Sequence, residues 1–300
     1  TLFPYTTLFR SARNQIKGTV KTIREGAVNA VVTNSEPHPI CQALKGLCDA
    51  VLVDAPCAGE AMFRKDEQAI AEWSPAHVET CAMRQRAILE DAAAAVKAGG
   101  QLLYATCSFS PQENEQTAEW FLQRHPDFSC KRMQRLYPHT SAGEGQFFAL
   151  FVRDGERVPT PLFYEKSDRV PAWDAFRSEL KPLSGTVRAL KDGRVLLLPP
   201  LPVPLDGIRL IRAGLLLGEV KGSRFEPAHA LALAGRETPF LHREALDFDE
   251  AMRYLKGETI ARACEKGYGA VTYCNHALGL FKASDGVLKN RYPKGLRLLK

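Results

Sequence analysis

Two stretches decide the fold: Val51-Leu-Val-Asp-Ala-Pro-Cys-Ala-Gly59 and Leu102-Leu-Tyr-Ala-Thr-Cys-Ser108. Each is a short apolar run, as in a strand buried on both faces, followed by a turn that carries a cysteine. Doubly wound α/β sheets bind ligands just beyond the carboxyl ends of their strands. Cys57 and Cys107 can therefore meet over one substrate although far apart in sequence. A single cysteine in such a place reads as a small buried hydrophobe. Two at equivalent strand ends, one just after the strand-end carboxylate Asp54, point to thiol chemistry.

The chain between and around these stretches supports a parallel sheet. Ser74 and Pro75 form an N-cap and first helical position, Val78, Ala82, Leu89, Ala92 and Val96 share one helix face, and Gly99-Gly100 close it. A strand over 101–105 follows. Ser110-Pro-Gln-Glu113 then reads as a capping box opening a helix that runs to about Arg124. Upstream, Ile16, Val20 and Ile23 predict a helix tail ending near Gly26, and 30–33 predicts a short strand. The order strand, helix, strand, helix predicts an α/β fold. From about residue 154 prolines multiply, and smaller modules are expected: strands over 195–198 and 208–211, a helix over 246–255, and a hairpin joining 270–273 to 278–281.

The 300 residues are 45% hydrophobic and 25% charged, with no apolar run near the roughly 18 residues of a membrane helix. The formal charge of +6 is uneven: residues 1–150 carry 15 basic and 16 acidic side chains, residues 151–300 carry 25 and 18. The second half thus favours a polyanionic partner over a merely solvated surface. Eight cysteines show no CxxC spacing or His/Cys pairing, so no metal site is expected, and the thiols fit a reducing, cytoplasmic setting. Thr1-Leu-Phe-Pro-Tyr-Thr-Thr-Leu-Phe-Arg-Ser11 resembles the conceptual translation of a sequencing adapter. It is set aside as non-native, with the native sequence expected to begin at about Ala12.

The motifs resemble those of the RNA cytosine-5 methyltransferases of the Sun group, and within it the bacterial RsmF-like 16S ribosomal RNA methyltransferases. The residues concerned are Asp54-Ala-Pro-Cys-Ala-Gly-Glu-Ala-Met-Phe-Arg-Lys-Asp66, Trp73-Ser-Pro75, Tyr104-Ala-Thr-Cys-Ser108, Pro111-Gln-Glu-Asn114 and Gly143-Glu-Gly-Gln-Phe147. The stretch Arg209 to Arg224 and the tail Leu288-Lys-Asn-Arg-Tyr-Pro-Lys-Gly-Leu-Arg297 are similar to that subgroup's PUA-like RNA-binding region. Ala58 and Ala61 depart from the family's serine and glycine.

The resemblance implies an incomplete Rossmann-type methyltransferase sheet over 12–153, a linker and small module over 154–235, and a PUA-like RNA-binding module over 236–300. It implies S-adenosylmethionine as cofactor and RNA, ribosomal in the first instance, as partner, with neither membrane nor metal. Cys107 would add to carbon 6 of a cytosine, Cys57 would assist proton loss and release of the adduct, and Asp54 would lie between cofactor and base. Of the cofactor site, Glu36 and Asn34 are the remaining candidates. The family's glycine-rich loop and the acidic residue of the following strand are absent, so the first two strands are expected to be missing, the sheet edge open and the chain inactive. Arg64, Lys65, Lys289, Arg291, Lys294 and Arg297 are the candidate RNA contacts. The competing readings are a non-catalytic RNA-binding protein, a transfer RNA methyltransferase, an amino-group methyltransferase, whose strand-end motif would leave Cys107 unexplained, and a thiol redox enzyme, which would leave the basic tail without a role.

Overall fold

In the computed structural model, residues 7–9, 31–141, 143–201, 208, 210–235 and 237–298 are described. The predicted helix tail over 12–25 lies outside them. They fall into two compact units, one including Val31–Phe163 and the other Tyr164–Pro200 and Arg212–Lys300.

The first unit is built on a five-stranded sheet. In chain order its elements are β1 (Thr7–Phe9), β2 (Val31–Thr33), α1 (Pro37–Ala43), β3 (Cys48–Asp54), α2 (Glu67–Glu72), α3 (Pro75–Ala95), β4 (Val96–Thr106), α4 (Glu115–Arg124), β5 (Phe128–Leu136) and β6 (Gln146–Arg153). The sheet order is β1-β3-β4-β6-β5. β3 runs parallel to both β1 and β4, with Val51 opposite Leu102 and Asp54 opposite Ala105. β6 is antiparallel to β4 and to β5. Two expectations change here. The edge of β3 is covered by Thr7–Phe9, within the adapter-like stretch, and β2 stands outside the sheet, in a two-stranded ribbon with β9 (Leu210–Ala213).

Local chemistry explains why α3 begins where it does. Ser74 is extended and its hydroxyl accepts from His77 N–H, while Pro75 needs no N–H partner at the first position. The 21-residue helix buries Val78, Ala82, Leu89, Ala92 and Ala93 and returns the chain directly into β4. Gly99 takes φ +68° inside that strand, a conformation that favours glycine. Leu89, Leu102, Tyr104, Phe121, Phe147 and Phe151 form the centre of the core, none with more than a trace of exposed surface. The β5–β6 hairpin was not anticipated, although Phe147, Ala149 and Phe151 alternate with outward residues in the strand period of two.

α4 corrects a second expectation. It begins at Glu115, and its N-cap residue Asn114 makes no side-chain cap. Ser110 and Glu113, read as a capping box, are used elsewhere: the Ser110 hydroxyl donates to Glu60, and Glu113 turns inward to Ala58 and Ser108.

The second unit holds α5 (Pro171–Phe176), β7 (Thr186–Ala189), β8 (Arg194–Leu198), β10 (Leu215–Lys221), β11 (Arg224–Pro227), α6 (His229–Ala232), β12 (Arg243–Ala245), α7 (Phe248–Lys256), β13 (Ile260–Ala261), β14 (Gly267–Tyr273), β15 (His276–Ser284) and β16 (Val287–Asn290). One sheet is antiparallel in the order β11-β10-β8-β7, the other runs β12-β14-β15-β16-β13. The expected hairpin is present as β14 and β15, and the expected helix as α7, opened by a reciprocal capping box between Asp247 and Glu250. No helix among the described residues is long and apolar enough to cross a membrane.

Candidate active site

The two strand ends bring the thiols together. Cys57 Sγ and Cys107 Sγ lie 3.1 Å apart, both half-buried, at the ends of β3 and β4. Backbone bonds tie these ends to one another: Ala55 N–H donates to Ala105 C=O at 3.0 Å, and Ala61 N–H to Cys107 C=O at 3.0 Å.

Their environments split the pair. A hydrogen bond from the Cys57 thiol holds Cys107 below its ordinary value, against burial and the nearby carboxylate of Asp54. Donating that bond pushes Cys57 well up, and burial adds to the shift. The arrangement favours one thiolate, on Cys107, solvated by the other thiol. Helix α4 starts only at Glu115, too late for its N-terminus to explain the shift, which comes from the second thiol.

Behind the thiols lies a buried polar network. Glu113, fully buried, accepts from Ala58 N–H (2.9 Å), Gln85 Nε2 (2.9 Å) and the Ser108 hydroxyl (2.6 Å). Gln85 Nε2 also donates to Pro56 C=O, and the Tyr104 hydroxyl reaches Gln85 Oε1 at 2.9 Å and Glu113 C=O at 2.5 Å. Thr106 donates to Asn114 Oδ1, whose amide donates to Ser108 C=O. Glu60, in the turn after Cys57, accepts from Ser110 Oγ (2.6 Å), Phe109 N–H (3.2 Å) and Trp73 Nε1 (3.1 Å). Burial pushes its carboxyl up, but these donors outweigh burial and hold it below the usual range. Trp73 and Asn114 lie in the motifs Trp73-Ser-Pro75 and Pro111-Gln-Glu-Asn114 with no role legible in the sequence, and Glu113 reads there only as a capping-box residue. Gln85 carried no signal beyond its place on the inner face of α3.

The remaining candidates are dispersed. Asp54 is exposed at the end of β3, close enough for its charge to act on Cys107. Asn34 and Glu36 are exposed after β2, Glu36 at the N-cap position of α1 without a side-chain cap bond. Arg64 and Lys65 are exposed and both paired with Glu144, at 2.5 and 3.3 Å. Lys289, Arg291 and Lys294 are exposed, Arg291 stacking its guanidinium over Tyr268. Arg297 is different, being half-buried against Gly257, at the C-cap of α7, so its first role is packing. His242, Glu244 and Cys264 place ligand atoms within 4.8 Å of one another, a grouping that sequence spacing did not show. Glu244 is already engaged by His242 and Arg262.

Three family profiles match the chain: 16S rRNA methyltransferase RsmB/F over residues 11–152, the RsmF rRNA methyltransferase first C-terminal domain over 175–234, and the methyltransferase RsmF PUA domain over 243–298. The chain belongs to the RsmF group of RsmB/F methyltransferases. Among curated relatives of this RsmF group, ribosomal RNA small subunit methyltransferase F of Cronobacter sakazakii is 29% identical over 310 residues, covering 91% of this chain and 64% of the relative. The Shewanella loihica protein of the same name is 30% identical, covering 91% and 63%. The chain thus spans less than two thirds of these relatives' length. Among solved structures, NSun6 from Pyrococcus horikoshii is 26% identical over 35% of this chain and 30% of its own, with a TM-score of 0.31.

Proposed function

We propose that this RsmF-family chain carries the methyl-transfer centre of a ribosomal RNA cytosine-C5 methyltransferase, with Cys107 as nucleophile and Cys57 as its proton-handling partner. The observation that carries the reading is the 3.1 Å thiol pair with opposed shifts, lowered at Cys107 and raised at Cys57.

The chemistry follows from that polarity. A thiolate adds to the electron-poor carbon 6 of cytosine, and the C5=C6 electron pair becomes available at carbon 5. S-adenosylmethionine supplies the methyl group to carbon 5. Asp54 and Glu36, both exposed carboxylates, fit the ammonium and hydroxyl donors of such a cofactor, with Asn34 beside them. The proton at carbon 5 must then leave so that the C6–S bond breaks and the double bond re-forms. Once Cys107 sulfur is bonded to carbon it is no longer an anion, and the main cause of the raised Cys57 value disappears. Cys57 can then release its own proton to solvent and accept the one at carbon 5.

Neither thiol reaches carbons 5 and 6 of a stacked, paired base, so the target cytosine must be flipped out or single-stranded. Arg64 and Lys65 would exchange Glu144 for phosphate, and Lys289, Arg291 and Lys294 offer exposed cations for the same backbone. The relatives extend beyond this chain, so the assay is run on the chain completed to their length, with S-adenosylmethionine and unmodified 16S rRNA. Nucleoside mass spectrometry should show 5-methylcytidine, abolished in Cys107→Ala. Label on an exocyclic amine, or full activity in Cys107→Ala, would contradict the reading.

A further inference from the structure

Cys57 and Cys107 belong to different turns, and the sulfur contact persists only if something fixes one turn against the other. The chain on both sides of Cys57 and the residue after Cys107 end on the same two buried side chains. Pro56 C=O accepts from Gln85, Ala58 N–H donates to Glu113, and the Ser108 hydroxyl donates to the other Glu113 oxygen. Gln85 and Glu113 are themselves bonded at 2.9 Å, and neither has exposed surface.

All three groups on the Glu113 carboxylate are neutral donors. The three donors favour its ionised form but are outweighed by burial, and none of them supplies a compensating positive charge. Burial pushes its own value up, and its charge acts to raise Cys57, Cys107 and Cys81. The other ionisable groups bearing on the site are Asp54 from β3, Glu60 from the turn after Cys57, Cys81 from α3 and Tyr104 from β4, with Arg84 acting on Cys81 and Arg86 on Tyr104.

We propose that Glu113 is the positioning residue of the thiol pair: it clamps the Pro56–Ala58 turn to Ser108, and its buried carboxylate adds to the groups that disfavour a second negative charge there. The inference rests on the thiol-pair reading of the site and assigns the Pro111–Asn114 motif a role. Clamp and charge act in opposite directions on Cys107, which makes them separable. Glu113→Gln keeps shape and the acceptor oxygen for Ala58 and Gln85, its amide donating to the Ser108 oxygen in place of the present bond, but removes charge, so the thiolate of Cys107 should form more easily. Ser108→Ala keeps the charge but cuts the clamp, so Cys107 should lose part of its bond from Cys57 and return toward an ordinary thiol.

The test is peptide-resolved alkylation of this chain by iodoacetamide across pH, with thermal unfolding as control. Glu113→Gln should lower the Cys107 midpoint by about one pH unit, roughly tenfold more thiolate at a given pH below it. Ser108→Ala should raise it, with the fold retained in both. An unmoved or raised midpoint in Glu113→Gln overturns the charge role, and an unmoved or lowered one in Ser108→Ala overturns the clamp. Should Glu113→Gln fail to fold, Ser108→Ala still decides the clamp. Neither RNA nor methyl donor enters the measurement, so a failure of methyl transfer would leave it unaffected.

Discussion

The thiol site and the C-terminal stretch 243–298 handle charge in opposite ways. Around the thiols, Glu113 is buried among neutral donors and Tyr104 is buried with its hydroxyl bonded. In 243–298 charges stand as ion pairs, exposed for Arg253 with Glu258 and Lys266 with Asp285, half-buried for Arg262 with Glu250 and Glu244. A buried carboxylate without a counter-charge costs stability, and such groups cluster where chemistry needs a set protonation state. Exposed pairs contribute little to folding and can exchange partners for phosphate at small cost. The contrast fits the proposed roles, proton control in one region and contact with RNA in the other.

Substitutions can break this contrast if it is wrong. The largest effect is expected at a third kind of pair in the first unit: Lys97, nearly buried, is held by Asp49 at 2.7 Å and by Val158 C=O. Asp49→Asn would strand that cation, at about 3 kcal/mol in denaturant unfolding. Next comes Tyr104→Phe, which removes the hydroxyl from Gln85 and Glu113 and should cost about 1–3 kcal/mol because buried acceptors are left unmet. Arg253→Ala, at an exposed pair, should cost below about 1 kcal/mol and be insensitive to added salt beyond that amount. A surface variant as costly as Tyr104→Phe would erase the distinction.

The pH dependence sharpens it. Glu60 is held below the usual carboxylate range in the fold, so its contribution is present above its unfolded value near 4.5 and is lost as pH falls through the lowered folded value. Glu113 is raised, so its ionisation penalises the fold at neutral pH and the penalty is relieved as pH falls through that raised value. Melting temperature against pH should therefore lose part of its acid decline in Glu60→Gln. In Glu113→Gln the penalty is gone at neutral pH. Parallel curves for both variants and the wild type would contradict the assignment.

Much of this was legible in the sequence because strand ends and helix caps are local. The run before Asp54, the Ser74-Pro75 cap and the thiols after two strands needed only periodicity and turn chemistry. The α4 start differs because Ser110 and Glu113 have the composition of a capping box but are drawn away by Glu60 and Ala58, partners distant in sequence, and by the nearby Ser108. Arg297 looked like a basic-tail contact, yet Gly257 lies so close that its side chain is packed. The β5 strand was invisible for another reason: its middle, Lys131 to Met133, is exposed and carries no apolar stripe. Family resemblance supplied the roles of the thiols, while the structure supplied the contact that brings them together.

That order is the central claim, and one comparison tests it most directly. With the chain completed to its relatives' length, 16S rRNA and S-adenosylmethionine are added to Cys57→Ala and Cys107→Ala, and protein–RNA adducts are resolved on denaturing gels. The account predicts an adduct that accumulates in Cys57→Ala and is absent in Cys107→Ala. An adduct retained in Cys107→Ala and lost in Cys57→Ala would reverse the roles and contradict it.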